Sequence, residues 1–234
     1  MRHYYAPMHA NHPHVKISCR WILLVAVLLL GACSRIDIPV TDESYQAWAW
    51  RQQALEKIDG WEIHARAAIF VKQEVHQVGI SWVRERDRFT IMMQAAFGQG
   101  VFRVESNSSA DQSAAIKLSM PDGQLYYGHS AESLLSRLFG WSIPLSGLTS
   151  WIKGLPQQPQ PYSYELYADG RLKSLQQEDW VINYLDYFTD DGPGQGLPKK
   201  MYLKHQDLAL KIVIDRWRPL ESRVDRSVVF PDFD

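Results

Sequence analysis

A two-residue periodicity constrains this chain more than any other feature. From Ile63 onward, Ile63, Ala65, Ala67, Ile69 and Val71 alternate with His64, Arg66, Ala68 and Phe70. The next run sets Val78, Ile80 and Trp82 against Gln77, Ser81 and Arg84. Successive side chains of a strand point to opposite faces, so this pattern buries one face and wets the other, as antiparallel sheets do. The same count predicts strands over 89–94, 101–106, 114–120 and 124–127, with Pro121-Asp122-Gly123 among the turn signals between them. Beyond Pro161 it resumes at 162–167, 172–176, 180–188, 199–205 and 208–217, with a Gly- and Pro-rich loop at 190–196.

Helical spacing interrupts this pattern in three places. Over 42–58, Tyr45, Trp48, Leu55 and Ile58 recur near a 3.6-residue period, with Thr41 or Asp42 as N-cap and Gly60 past the end. Ser130 caps a short helix over 131–139 with Leu134, Leu135 and Leu138 on one stripe, and Ser146 opens another that ends at Gly154 and Pro156. Strands in hairpin order with segregated helices predict a mainly β, α+β fold. The expected form is an antiparallel sheet of eleven strands curled around those three helices, with one concave apolar face.

The first 32 residues stand outside that fold. Arg2, Lys16 and Arg20 precede an apolar run at 22–30, followed by Gly31, Ala32 and Cys33. This is a charged region, a short apolar region and small residues at a cut site, a signal peptide whose true start is Met1 or Met8. The run is well short of the ~20 residues that span a bilayer. Leu30-Gly31-Ala32-Cys33 resembles a bacterial lipobox, in which Cys33 receives diacylglycerol and, after cleavage, an N-acyl chain. Ser34 stands where inner-membrane lipoproteins usually carry Asp, so the resemblance implies sorting to the outer membrane. The expected organisation is a signal peptide over 1–32, a lipid-modified tether over 33–41, a folded domain over 42–218 and an irregular tail over 219–234.

Several function classes fall away. With 25 Lys and Arg against 26 Asp and Glu, the chain lacks the basic surplus that phosphate neutralisation needs, so no nucleic-acid partner is expected. Its two cysteines, Cys19 and Cys33, leave the body without disulfide or thiolate chemistry. The histidines of the body, His64, His76, His129 and His205, show no metal-ligand spacing, and no cofactor motif occurs. Ser150-Trp151-Ile152-Lys153 fits S-x-x-K but lacks its partner motifs, Asn107-Ser108-Ser109 is a chance glycosylation match, and Asp190-Asp191 sits in a loop. An enzyme is therefore the least favoured reading. The 9 Trp, 11 Tyr and 8 Phe leave two possibilities, a well-filled core or an apolar cavity.

Ordered motifs carry a resemblance to the LolB family of outer-membrane lipoprotein receptors, from residue 33 to about 217. They are the lipobox, the Trp-rich first helix, Trp61 opening the first strand, Phe97-Gly98-Gln99-Gly100 in a hairpin, and Ile143-Pro144-Leu145-x-x-Leu148-x-x-Trp151-Ile152-x-Gly154-Leu155-Pro156. Trp180-x-x-x-Tyr184-x-x-Tyr187, Leu197-Pro198 and Leu210-Lys211-Ile212-Val213-Ile214-Asp215-x-Trp217 complete the series. The resemblance implies an open, unclosed antiparallel β-barrel of about eleven strands with three helices covering an apolar cavity, in a monomer that accepts acylated lipoproteins from the periplasmic carrier LolA. It also implies that the protein inserts them into outer-membrane lipid. A diffusing carrier of the same fold is opposed by Cys33, and a purely structural lipid-anchored protein would need a partner surface but no cavity.

Phe97 lies at a hairpin tip, after Ala95 and Ala96 and before Gly98, where a large apolar side chain has no evident core to fill. The family carries a protruding apolar residue there, usually Leu, so the resemblance implies that Phe97 touches the membrane. Ala96 replaces the usual Pro. Strand parity and helix stripe nominate Ile69, Ile80, Trp82, Ile91, Met93, Leu138, Leu148, Trp151, Ile152, Ile182 and Ile212 as cavity lining.

Overall fold

The computed structural model describes residues 38–95, 100–106, 115–140 and 142–220. Eleven strands form one antiparallel sheet in the order β6-β5-β4-β3-β2-β1-β11-β10-β9-β8-β7. They are β1 (Gly60–Val71), β2 (Glu74–Glu85), β3 (Arg88–Ala95), β4 (Val101–Ser106), β5 (Ile116–Ser119) and β6 (Leu125–Gly128). After the helices come β7 (Ser163–Leu166), β8 (Leu172–Gln177), β9 (Trp180–Tyr187), β10 (Pro198–His205) and β11 (Leu208–Pro219). Every neighbour is also a sequence neighbour except the pair β1–β11, which joins the two meanders at the centre. β6 and β7 are left as the two edges, so the sheet does not close.

Register carries the alternation across strands. Trp82 stands opposite both Ile63 and Ile91, Ile91 opposite Val104, Val104 opposite Leu118 and Leu118 opposite Tyr126. On the other side of the centre, Leu203 faces Leu210 and Ile182, and Ile182 faces Leu175. One face of the sheet is therefore apolar from edge to edge. A bulge in the β1–β11 pairing at His64/Ala65 lets Ile214 and Trp217, three residues apart, both point to it. The opposite face is polar. Asp215 accepts from Arg66 Nε at 3.0 Å and Nη2 at 2.7 Å across β1 and β11, and Lys117 pairs with Glu105 at 3.0 Å.

Helix α1 (Asp42–Glu56) starts at Thr41, as the capping pattern predicts, and docks on the turn between β7 and β8. Ser44 Oγ donates to Ala168 O at 2.6 Å, and the Trp48 ring lies 5.9 Å from that of Tyr164. Close approach is possible because Gly170, at φ +77°, has no Cβ; an added one would lie 2.7 Å from Ser44 O. Helices α2 (Ala131–Phe139) and α3 (Leu145–Trp151) fill the link between the two edge strands. Ser130 Oγ caps α2 by accepting from Ser133 N, as expected. The third helix does not open at Ser146. Its N-cap is Pro144, φ −69°, and the first free N–H, on Leu145, donates to Glu132 Oε1 at 2.6 Å, so α2 supplies the acceptor expected of the serine.

Strand ends move outward from their expected limits at β1, β2 and β11, because backbone pairing continues after apolar alternation stops. Glu74 pairs with Val71, and Pro219, assigned from sequence to the irregular tail, pairs with Trp61. β5 begins at Ile116 rather than at 114.

Candidate functional site

Both link helices lie on the apolar face. The Phe139 ring at the end of α2 packs 5.9 Å from Phe102, which is register partner to Met93. Leu134 sits against Gly128, whose added Cβ would fall 2.8 Å from Leu134 Cγ. At the end of α3 the Trp151 ring lies 5.8 Å from Trp180, its Nε1 donates to Gln177 Oε1 at 2.8 Å, and its carbonyl accepts from Tyr184 Oη at 3.0 Å. The helices are thus hydrogen-bonded to the β8–β9 side and held on the β4–β6 side by apolar contact.

All eleven residues nominated as lining fall on this face or on the helices over it. Burial divides them. Ile69, Trp82, Ile91, Leu148, Trp151, Ile152, Ile182 and Ile212 are buried, with at most 8% of their surface exposed. Ile80, Met93 and Leu138 are only half-buried and pack against that core. A half-buried apolar side chain on a covered face is the part that an incoming apolar chain can reach without dismantling the core. Val78, Phe102 and Tyr126 share this position and were missed, although parity on β2 places Val78 with Ile80 and register places Phe102 opposite Met93; Tyr126 stands opposite Leu118, which was not nominated. Fully buried residues such as Trp151 and Ile182 form the floor instead.

The floor is rigid at its polar points. Burial pushes the Tyr184 phenol well above its ordinary pKa, and Tyr187 moves the same way for the same reason, the Arg51 and Arg171 cations opposing it. Both stay protonated and donate, Tyr184 to Trp151 O and Tyr187 to Leu172 O at 2.7 Å. Gln177 is buried and serves two donors with Oε1, Trp151 Nε1 and Gln157 N, while its Nε2 donates to Gln157 O and Gln160 O.

Cys33 and Phe97 both lie outside the described residues. Lys153, of the S-x-x-K match, is engaged with a backbone carbonyl: its Nζ donates to Ile58 O at 3.1 Å, and burial lowers its pKa. His64 contacts Glu62 at 2.9 Å, His76 contacts Glu74 at 3.2 Å, and His205 stacks on Trp180 with ring centroids 5.1 Å apart. Among the described residues no group of three or more His, Cys, Asp or Glu could hold a metal ion, and no helix is long and apolar enough to cross a membrane.

Comparison with known proteins gives one consistent result. A family profile described as "Outer membrane lipoprotein LolB" matches residues 59–217. An outer-membrane lipoprotein LolB of Nitrosococcus oceani is 35% identical over 199 residues, which covers 84% of this chain and 96% of that protein. Its counterpart in Pseudomonas syringae pv. syringae is 31% identical over 172 residues, covering 74% of this chain and 80% of that protein.

Proposed function

The chain belongs to the LolB family of outer-membrane lipoproteins, and from that premise we infer how its sheet serves lipoprotein localisation. It is a receptor at the outer membrane, lipid-anchored on the periplasmic face. The half-buried strip of Ile80, Met93 and Leu138, under α2 and α3 and beside a closed core, accepts the acyl chains of lipoprotein cargo. That strip carries the reading, since a structural lipoprotein has no use for accessible apolar side chains beneath a helical cover.

The energetics require an enclosed route. Burying one CH2 is worth about 0.8 kcal/mol, so an acyl chain of roughly fifteen of them costs on the order of 12 kcal/mol to expose to water. The cargo arrives on the periplasmic carrier LolA and passes to the strip. Nothing in the sequence binds a nucleotide, so transfer runs downhill, from a weaker carrier site to this one and then to the bilayer. Equal cargo affinities of carrier and receptor would contradict this. Cys33 carries the acyl chains that hold the protein at the membrane, with 33–41 as tether to the domain over 42–218. Phe97 makes the contact through which cargo enters the lipid.

Residues from Pro39 onward form a compact unit of their own, so a form that begins at Ser34 is suited to the test. Mixed with carrier loaded with a triacylated lipoprotein, it is expected to take the cargo, read by pull-down. Cargo that stays on a competent carrier, with this protein folded, would favour a lipid-anchored structural protein.

A further inference from the structure

Of the six buried tryptophans, two have an Nε1 with a clear acceptor and two have a buried Nε1 with none among the described residues. Trp151 Nε1 donates to Gln177 Oε1 at 2.8 Å, and Trp217 Nε1 to Pro198 O at 3.3 Å. Trp61 and Trp82, 0% and 2% exposed, have Nε1 atoms that are buried and meet no acceptor among the described residues. A buried donor without a partner is costly, and native folds carry few. Here two occur side by side, their rings 4.9 Å apart at 66°. The third buried polar atom in this condition, Gln157 Oε1, is an acceptor.

A third donor lies in the same corner. Arg84 stands opposite Trp61 in the β1–β2 register and two residues beyond Trp82, so all three side chains share the apolar face. The guanidinium is half-buried, and it makes no hydrogen bond or ion pair among the described residues. One end of the apolar face therefore presents two indole N–H groups and a guanidinium, all donors, with no acceptor for them among the described residues.

We propose that this corner, formed by Trp61, Trp82 and Arg84, binds the carboxylic-ester oxygens of the glyceride on a bound lipoprotein. Ester carbonyls accept and never donate, they lie where acyl chain meets headgroup, and a site that already holds the chains places them beside its polar end. The proposal rests on the reading of the face as an acyl-chain acceptor and adds an orientation. From Trp82 the face continues along β2 through Ile80 to Val78, which pairs with Ala95 at the end of β3. With the esters at Trp61 and Arg84, the chains run toward the β3–β4 connection and leave tails first.

The test varies the ligand as well as the protein. Two synthetic triacylated lipopeptides of equal chain length, one with ester-linked and one with ether-linked glyceryl chains, are titrated into the form that begins at Ser34. The ester form is expected to bind about tenfold more tightly, the worth of one good hydrogen bond. Arg84→Met should weaken the ester form severalfold and leave the ether form unchanged, and Trp82→Phe should weaken the ester form severalfold more than the ether form, so the preference narrows in both. Arg84→Met alters a half-buried position, and it keeps the experiment decisive if Trp82→Phe disturbs the core. Equal, tight binding of both lipopeptides to the unaltered protein would overturn the ester site and leave the acyl face standing. Failure of both to bind the folded protein would overturn the acyl-face reading, and the ester site with it.

Discussion

At the scale of single residues, this protein separates fully buried side chains that build the floor from half-buried ones on the same face. Tyr184 belongs to the floor: fully buried, it donates to the Trp151 carbonyl and so ties β9 to α3. Tyr184→Phe should lower unfolding stability by about 1 kcal/mol, the net worth of one hydrogen bond, seen as a lower midpoint in urea. Phe97, outside the described residues, is proposed for another role, contact with the membrane. Phe97→Glu should retain cargo, measured by pull-down from the loaded carrier, and lose insertion into outer-membrane vesicles, because a carboxylate is expensive to bring among acyl chains. Normal insertion by this variant would remove the residue from the mechanism. Sequence alone singles out Phe97 because a large apolar residue at a hairpin tip lacks a local reason. It is silent on Tyr184, where the reason is a carbonyl 33 positions away.

Elements are placed mainly by what they can approach. Helix α1 has only Ser44, Trp48 and Leu55 buried, so it is held by specific docking rather than by a broad apolar stripe. Its contact with the β7–β8 turn depends on Gly170, where a Cβ would meet Ser44 O at 2.7 Å and Trp48 N at 2.9 Å and where φ is +77°. Gly170→Ala is expected to destabilise by more than about 1 kcal/mol through strain and displaced packing, and to speed hydrogen exchange in α1 before that of β9 or β10. Uniform exchange across these elements would mean that α1 unfolds only with the sheet. The helix that opens at Leu145 rather than Ser146 makes the same point, since its N-terminal acceptor comes from another helix and local capping rules could not foresee it.

For the molecule as a whole, pH dependence follows from acids held by arginines across strands. The Glu62 carboxyl is kept below its ordinary range first by the Arg218 hydrogen bond and then by His64, with burial opposing. Asp215 is lowered by Arg66 in the same way. A lowered folded pKa means that the unfolded chain takes up protons first as pH falls, so these pairs contribute fully above about pH 4.5 and less below it. Tm by calorimetry should be level between pH 7 and 5 and decline below about 4.5. Glu62→Gln should show a shallower decline, and an identical one would place the acid sensitivity elsewhere.

The sequence by itself determined the class of fold, the eleven strands and three helices of the described residues, and the family. Each of these is written in local order: alternation shows in neighbouring residues, caps within a turn, and family motifs in short ordered runs. It also determined which residues face inward, because parity on a strand is a local property that the β11 bulge interrupts only once on the β1 side. Only the tertiary structure decided which inward residues are floor and which are reachable. Ile80 and Ile182 have the same parity and the same chemistry, yet one is half-buried and the other fully enclosed. That difference depends on how α2 and α3 cover an unclosed sheet, and distant elements set it. The indoles of Trp61 and Trp82 belong to the same category, since their lack of an acceptor among the described residues becomes visible only once distant elements are packed together.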